Sequence, residues 1–160
     1  MTICLQACRS MKNKGFPTLQ PIQTGHFRTK TDLKDLDRVL EWFEQFQSSH
    51  ESRIPENIWL QCQLALVEGF TNAVRHAHRQ APPETPIDIE VTLFTDRLEI
   101  NIWDRGPGFD MGTWLKRMPK VVDKNSEGGR GVRLIAKIAD QMRYTSEADG
   151  RNRLYMSKRY

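Results

Sequence analysis

The sequence predicts an α+β domain with two layers, in which a mostly antiparallel sheet carries helices on one face. Apolar and polar residues alternate over residues 87–93 and again over 98–102, and Thr95-Asp96-Arg97 turns the chain between them. Three other segments repeat apolar residues every three or four positions, which predicts helices. A hairpin near the C-terminus adds two strands, 142–146 and 154–157, around the turn Asp149-Gly150.

The N-terminal part predicts one strand and one helix. Residues 1–18 have no steady period and are interpreted as a flexible leader to a single domain at 19–160. Residues 22–28 predict the first strand, and Thr31 suits the N-cap of a helix that runs to about Ser48. The apolar stripe of this helix comprises Leu33, Leu36, Val39, Leu40 and Phe43.

The second helix is predicted from Pro55-Glu56 to about Arg79, ahead of Pro82-Pro83. Cys62 lies within it and is interpreted as a small buried apolar residue. One apolar side comprises Leu60, Leu64, Val67 and Val74, and another comprises Leu66, Phe70, Ala73 and Ala77. The remaining polar stripe comprises Gln61, Glu68, Asn72, Arg75, His76 and Arg79.

The stretch from 105 to 127 has no periodicity, and such a stretch within a compact domain predicts a lid or binding loop. Its cations lack fixed partners in the sequence pattern, so we expect the lid to become ordered when phosphate binds. A third helix is predicted after Gly131. Its apolar stripe comprises Val132, Ile135, Ala136 and Ala139.

Composition excludes several classes of protein. The chain of 160 residues is 38% hydrophobic and 28% charged, which is ordinary for a soluble domain, and no apolar run is long enough to cross a bilayer. Of the 24 basic residues, five lie in residues 1–30, where there is no acid, so the remaining 19 face all 20 acids. The domain is therefore near neutral, which disfavours direct nucleic-acid binding. The sequence suggests no disulfide pairing for its three cysteines, Cys4, Cys8 and Cys62. This favours a reducing cytoplasm.

The polar stripe of the second helix places Glu68 and Asn72 four residues apart, so both side chains leave the same helix face. The Asn72 carbonyl oxygen suits Mg²⁺, and Glu68 is placed to accept a proton from an attacking hydroxyl. The alternative is a solvated stripe on an amphipathic helix. Gly69 and Asn72 are poor helix residues, however, so helix propensity is sacrificed at this point.

Two glycine-rich segments complete a set of three motifs. In Asp104-Arg-Gly106-Pro-Gly108, the carboxylate at a strand end can accept the exocyclic amine of adenine, and the glycines allow close backbone approach; a plain turn is the alternative. In Gly128-Gly129-Arg130-Gly131, the start of a helix suits phosphate, and a flexible hinge is the alternative. Arg130 and Lys124 lie near enough in sequence to reach phosphate.

The order and spacing of these motifs resemble the N, G1 and G2 boxes of the GHKL ATPases, over roughly residues 20–158. The segment of residues 68–77 most resembles the anti-sigma-factor serine/threonine kinases; it reads Glu-Gly-Phe-Thr-Asn-Ala-Val-Arg-His-Ala. The resemblance implies the Bergerat ATP-binding fold, with Glu68 as general base, Asn72 as Mg²⁺ ligand and Asp104 as adenine reader. The implied nucleotide cradle comprises Gly106, Gly108, Gly129 and Gly131, with Lys124 and Arg130 as further ATP-binding candidates.

The resemblance further implies a cytoplasmic kinase that phosphorylates a small anti-sigma-factor antagonist and sequesters a sigma factor; homodimers are common in the family. One alternative is an ATP-binding interaction module without catalysis. Another is an ATPase domain that works in trans with a phospho-histidine protein. His76 and His78 point apart on a helix, which disfavours a shared metal. Trp103 suits either the nucleotide pocket or the core, and we favour the core.

Overall fold

The computed structural model describes residues 20–48, 54–117 and 129–160. In these residues five strands form one antiparallel sheet in the order β1-β2-β3-β5-β4. The strands are β1 Gln23–Thr29, β2 Ile87–Leu93, β3 Arg97–Asp104, β4 Gln141–Ser146 and β5 Asn152–Arg159. The helices are α1 Leu36–Ser48, α2 Glu56–Asn72, α3 Met111–Arg117 and α4 Arg130–Ile138, and a π-helical turn, Ala73–Ala77, continues α2. The predicted leader, Cys4 and Cys8 lie outside the described residues.

The α+β architecture with helices on one face of the sheet is confirmed. Alternating residues of β2 and β3 are buried between sheet and helices, and Val91 pairs with Ile100 across the two strands. The helices contribute fully buried Phe43, Leu66 and Phe70, and Phe43 stacks on Trp59 with ring centroids 4.0 Å apart. Since an isolated sheet face of this kind would leave its apolar residues in water, helix packing is what stabilises the sheet.

The first helix begins differently from the prediction. The side chain of Asp32, not of Thr31, accepts a hydrogen bond from the Lys34 amide and caps a 3₁₀ turn, Leu33–Asp35, that precedes α1. Asp32 and Thr31 are both good cap residues, so the sequence pattern could not separate them. Leu33, placed in the apolar stripe by the prediction, is exposed.

The second helix was predicted too long and too apolar. The α-helical part ends at Asn72 and the π-helical turn ends at Ala77, short of Arg79. Leu60 and Leu64 are 54% and 41% exposed, so this part of the predicted apolar side does not face the core, whereas Val74 further along the chain packs against it. Cys62 is buried as predicted, and this burial raises the pKa of its thiol to about 12.

The predicted lid contains a helix. Asp110 accepts hydrogen bonds from the amide and hydroxyl of Thr113 and so caps the seven-residue α3. A single short helix of this kind gives too few turns to show a period. Residues 118–127 of the predicted lid lie outside the described residues. In α4, Ala136 is exposed, so the apolar stripe lacks this predicted member, and it gains buried Ile138 and partly buried Leu134.

The opposite face of the sheet is polar and carries Trp103. The Trp103 ring lies under the Arg151 guanidinium, whose carbon is 5.4 Å from the ring centroid, and Arg151 also pairs with Asp88. Trp103 therefore belongs neither to the core nor to the nucleotide pocket, and the prediction for it was wrong. Of the helices in the described ranges, none is both long and apolar enough to pass through a bilayer.

Candidate functional site

A cavity of about 370 Å³ lies where α2 and its π-helical turn, the end of β3 and the start of α4 meet. Four predicted site residues line it: Asn72, Asp104, Gly108 and Gly129. The three sequence motifs therefore converge on one cavity. Its volume lies within the range of about 300–1,000 Å³ that is usual for small-molecule sites.

Asp104 lies at one end of the cavity with its carboxylate held by three donors. Oδ1 accepts from the Gly106 amide at 2.9 Å and from Asn152 Nδ2 at 2.9 Å, while Oδ2 accepts from the Tyr144 hydroxyl at 2.8 Å. Asp104 is only 4% exposed. We call this cluster of Asp104, Gly106, Tyr144 and Asn152 the base end of the site.

Tyr144 and Asn152 were not among the predicted site residues. Asn152 lies directly opposite Asp104 in the register of β3 and β5, and its amide also donates to the Gly106 carbonyl at 2.9 Å. The Tyr144 ring lines the cavity and packs on Phe109, with ring centroids 4.8 Å apart. Both residues depend on strand pairing that is remote in sequence, which a sequence motif does not report.

The loop after Asp104 packs tightly against the π-helical turn. A Cβ added at Gly106 would lie 2.5 Å from the Ala77 carbonyl oxygen, so only glycine fits there. Gly108 has φ of +73°, a left-handed conformation that glycine adopts without strain. The Arg105 amide donates a hydrogen bond to His78 Nε2 at 2.7 Å, and this bond also holds the loop in place.

Glu68 and Asn72 meet at the start of α4. A Cβ added at Gly131 would lie 3.2 Å from Asn72 Oδ1 and closer still to Glu68 Oε2. The carboxylate and the amide therefore lie against the same glycine. The π-helical turn starts directly after Asn72, and π turns within helices are frequent at functional sites. We call Glu68, Asn72, Gly129 and Gly131 the phosphate end.

The start of α4 suits an anion. Gly129 has φ of +92° and, as the N-cap residue, has no side chain to cap the first amide groups of this helix. Such amides, together with the helix dipole, favour phosphate. Arg130 begins α4 and is exposed; Lys124 lies outside the described residues.

His76 lies in the π-helical turn and His78 follows that turn directly, and the two side chains have separate surroundings. His76 lines the cavity and is exposed. His78 is 2% exposed, and its Nδ1 lies 2.7 Å from the Thr31 hydroxyl, which donates to the Thr85 carbonyl. Burial lowers the pKa of His78, which favours its neutral form.

A family model described as the histidine kinase-like ATPase domain matches residues 29–158. The chain belongs to this family. Serine-protein kinase RsbW of Bacillus licheniformis is 33% identical over 84 residues, which cover 49% of this chain and 52% of that protein. RsbW of Bacillus subtilis strain 168 is 33% identical over 85 residues, 50% of this chain and 52% of the relative.

A third relative, Serine-protein kinase RsbW of Staphylococcus aureus strain MRSA252, is 32% identical over 90 residues, 53% of this chain and 57% of that protein. The chain thus spans about half the length of the curated relatives it matches. These comparisons agree with the fold, in which the predicted motifs of a histidine kinase-like ATPase domain lie around one cavity.

The residues present fit the Mg²⁺ and ATP that a histidine kinase-like ATPase domain implies. Asn72 Nδ2 is buried and has no hydrogen-bond partner within the described residues, so this N–H group can donate to a phosphate oxygen, while Asn72 Oδ1 is the atom that suits Mg²⁺. In the same residues, no cluster of three or more His, Cys, Asp or Glu side chains could hold a metal by itself. That is compatible with Mg²⁺, which is usually bound by one or two side chains together with substrate phosphates and water.

Proposed function

We propose that this protein is an ATP-dependent protein serine/threonine kinase that acts as an anti-sigma factor. It transfers the γ-phosphate of ATP to a Ser or Thr of a small antagonist protein, and it binds a sigma factor when that antagonist is phosphorylated. The proposal rests on the family and on the relatives, which are named serine-protein kinases. The activity, the substrate and the partners of this protein are all part of this proposal.

One observation carries the proposal: Glu68 and Asn72 converge on Gly131 beside a cavity whose other end holds Asp104. A binding module would need the base end but has no use for a carboxylate beside the phosphates. A kinase needs both ends, because phosphoryl transfer depends mainly on positioning and on neutralising charge.

Each residue then has a role in the reaction. Mg-ATP supplies the phosphoryl group and a metal that offsets its charge, with Asn72 as the protein ligand of that metal. The hydroxyl oxygen of the substrate Ser or Thr bonds to the γ-phosphorus as ADP leaves. Glu68 accepts the proton of that hydroxyl. Asp104 reads the adenine amine, and the start of α4 lies beside the phosphates. Gly106 and Gly108 shape the adenine loop, and Gly129 and Gly131 shape the phosphate end.

The test is a transfer assay with γ-labelled Mg-ATP and candidate partners encoded beside this gene. Label on a partner that survives acid and is identified as phosphoserine or phosphothreonine supports the kinase. Acid-labile phosphohistidine on a partner supports an ATPase domain that works in trans. ATP binding without transfer to any partner supports a binding module.

The assay needs a variant that separates catalysis from binding. Glu68→Gln keeps the shape of the side chain and removes the base, so transfer should fall about 10²-fold or more. Glu56→Gln is a matched control, because Glu56 is exposed and lies 12 residues earlier on the same helix, about 18 Å away at 1.5 Å per residue. Full transfer by Glu68→Gln would remove Glu68 from the catalytic role.

A further inference from the structure

Tyr144 changes what the Asp104 carboxylate can accept. A carboxylate offers about four lone-pair positions. Gly106 and Asn152 occupy both positions of Oδ1, and the Tyr144 hydroxyl occupies one position of Oδ2. Among the residues that the structure describes, no donor takes the remaining acceptor position, and because Asp104 is 4% exposed and lines the cavity, a ligand reaches that position from inside the cavity.

The Tyr144 proton is committed to Asp104. Burial, the nearby Asp104 charge and this hydrogen bond raise the pKa of Tyr144, so the hydroxyl keeps its proton at physiological pH. Hydrogen bonds to an ionised acceptor are roughly twice as strong as those between neutral groups. The hydroxyl therefore does not turn to donate to a neutral carbonyl on a ligand. Towards the cavity, Asp104 and Tyr144 present acceptors only.

We propose that Tyr144 is a specificity-determining residue, which makes the base end accept a 6-amino purine and reject a 6-oxo purine. A 6-amino group donates one proton to the free position of Asp104 Oδ2. A 6-oxo group places a carbonyl oxygen against that carboxylate. The paired N1 and N2 protons of guanine would need one free position on each carboxylate oxygen, and both positions of Oδ1 are occupied.

The aromatic ring of Tyr144 contributes to purine binding separately from its hydroxyl group. It forms part of the cavity wall and packs on Phe109, which in turn contacts Trp114 edge-on at 6.0 Å between ring centroids. These aromatic rings fix the direction of the hydroxyl and give a flat purine an apolar surface. A substitution that keeps the ring and removes the hydroxyl isolates the polar contribution.

This inference rests on the proposed nucleotide site, and the experiment separates the two. Affinities of the Mg complexes of ATP, ITP and purine riboside triphosphate, which lacks a 6-substituent, are measured by calorimetry for wild type and Tyr144→Phe. In the variant a water replaces the hydroxyl, and its two protons can serve the carboxylate and a 6-oxo group together. We expect ATP affinity to fall about tenfold. Purine riboside triphosphate should change less than about twofold, and the preference for ATP over ITP should narrow about tenfold.

Tyr155→Phe is the matched control, because Tyr155 also lies in the sheet but at an alternate position from Leu154, on the polar face. An equal loss for all three nucleotides in Tyr144→Phe, or no change, overturns the proposal. Wild type alone gives a second check that needs no variant: ITP must bind more weakly than purine riboside triphosphate, and the reverse order overturns the proposal. Failure of wild type to bind any of the three nucleotides contradicts the proposed nucleotide site itself, and this inference with it.

Discussion

The two ends of the cavity differ in how far their polar groups are satisfied within the protein. At the base end, Asp104 has three donors and Asn152 bonds to Asp104, Gly106 and Ser146. At the phosphate end, Asn72 Nδ2 is buried without a partner among the described residues, and the start of α4 has no side-chain cap there.

The difference indicates which end is preorganised. A buried polar group without a partner costs about 1–3 kcal/mol, so it persists where a ligand completes it. The base end needs one donor from a ligand, whereas the phosphate end needs several groups at once. In the proposed function, recognition of the adenine base is therefore built into the fold, and the phosphate end is completed only by its ligand.

The largest expected effect lies at the phosphate end, where Glu68→Ala and Asn72→Ala should fail differently. Glu68→Ala removes the proposed general base, so transfer should fall about 10²-fold or more while ATP still binds. Asn72→Ala removes the proposed metal ligand, so Mg²⁺-dependent ATP binding and transfer should both be lost. Calorimetry with and without Mg²⁺, beside the transfer assay, measures both. Identical behaviour of the two variants would contradict their separate roles.

The next effect tests the base end. In Asp104→Asn, the amide oxygen can still serve Gly106 and Asn152, but the position that faces the cavity becomes an N–H donor. We expect ATP binding to weaken by about 1–3 kcal/mol, with a smaller loss for ITP. Asp37→Asn, on the exposed side of α1, is the control. If wild type binds GTP as well as ATP, the assignment of this pocket to adenine is wrong.

Glycine-to-alanine substitutions at Gly106 and Gly131 should affect the two ends of the cavity differently. In Gly106→Ala the new Cβ meets the backbone oxygen of Ala77, which cannot move cheaply, so stability should fall by about 1–3 kcal/mol. In Gly131→Ala it meets the end of the Glu68 side chain, which can move, and helix propensity improves. Stability should then be unchanged while transfer falls about tenfold or more, because Glu68, the proposed general base, is displaced.

Urea denaturation and the transfer assay, run on both variants, measure these two outcomes. Gly112→Ala serves as the control, since its Cβ would make only an ordinary contact of 3.4 Å with Asp110 Oδ1. Loss of stability in Gly131→Ala without loss of transfer would contradict the described contact with Glu68.

The sequence predicted the phosphate end better than the base end. Glu68 and Asn72 are four residues apart on one helix, and helix geometry alone puts them on one face. Asn152 reaches Asp104 across 48 residues through the register of β3 and β5, and no local pattern specifies that register. Tyr144 depends on the further pairing of β4 with β5.

Some errors had a signal in the sequence and some did not. Trp103 follows inward-facing Ile102 in an alternating strand, so its position on the opposite face could have been predicted. The exposure of Leu60 and Leu64 could not, because it depends on where α4 packs against α2. His78 gave no signal either, since its partners Thr31 and Arg105 come from two other parts of the chain.

The smallest expected effect concerns His78, which holds the loop after Asp104 through a hydrogen bond from the Arg105 amide. Its Nε2 accepts from the Arg105 amide and so carries no proton, which leaves Nδ1 to donate to Thr31. Protonation would set Nε2–H against that amide. The pKa of His78 is lowered from 6.5, first by burial and further by Arg105, against an opposing effect of Asp104. The unfolded chain therefore binds this proton more readily than the folded chain does.

Stability should accordingly fall as pH drops below 6.5, the ordinary value, towards the lowered pKa, by at most about 1.4 kcal/mol per pH unit. Urea denaturation at pH 7.5 and 5.5 measures the change in wild type, His78→Asn and His76→Gln. His78→Asn should be less stable at pH 7.5 yet lose less between the two pH values, because it has no ring to protonate. His76→Gln should follow wild type, since His76 is exposed. The same pH dependence in wild type and His78→Asn would show that other groups cause it, and that the bond between His78 and Arg105 does not respond to pH in this range.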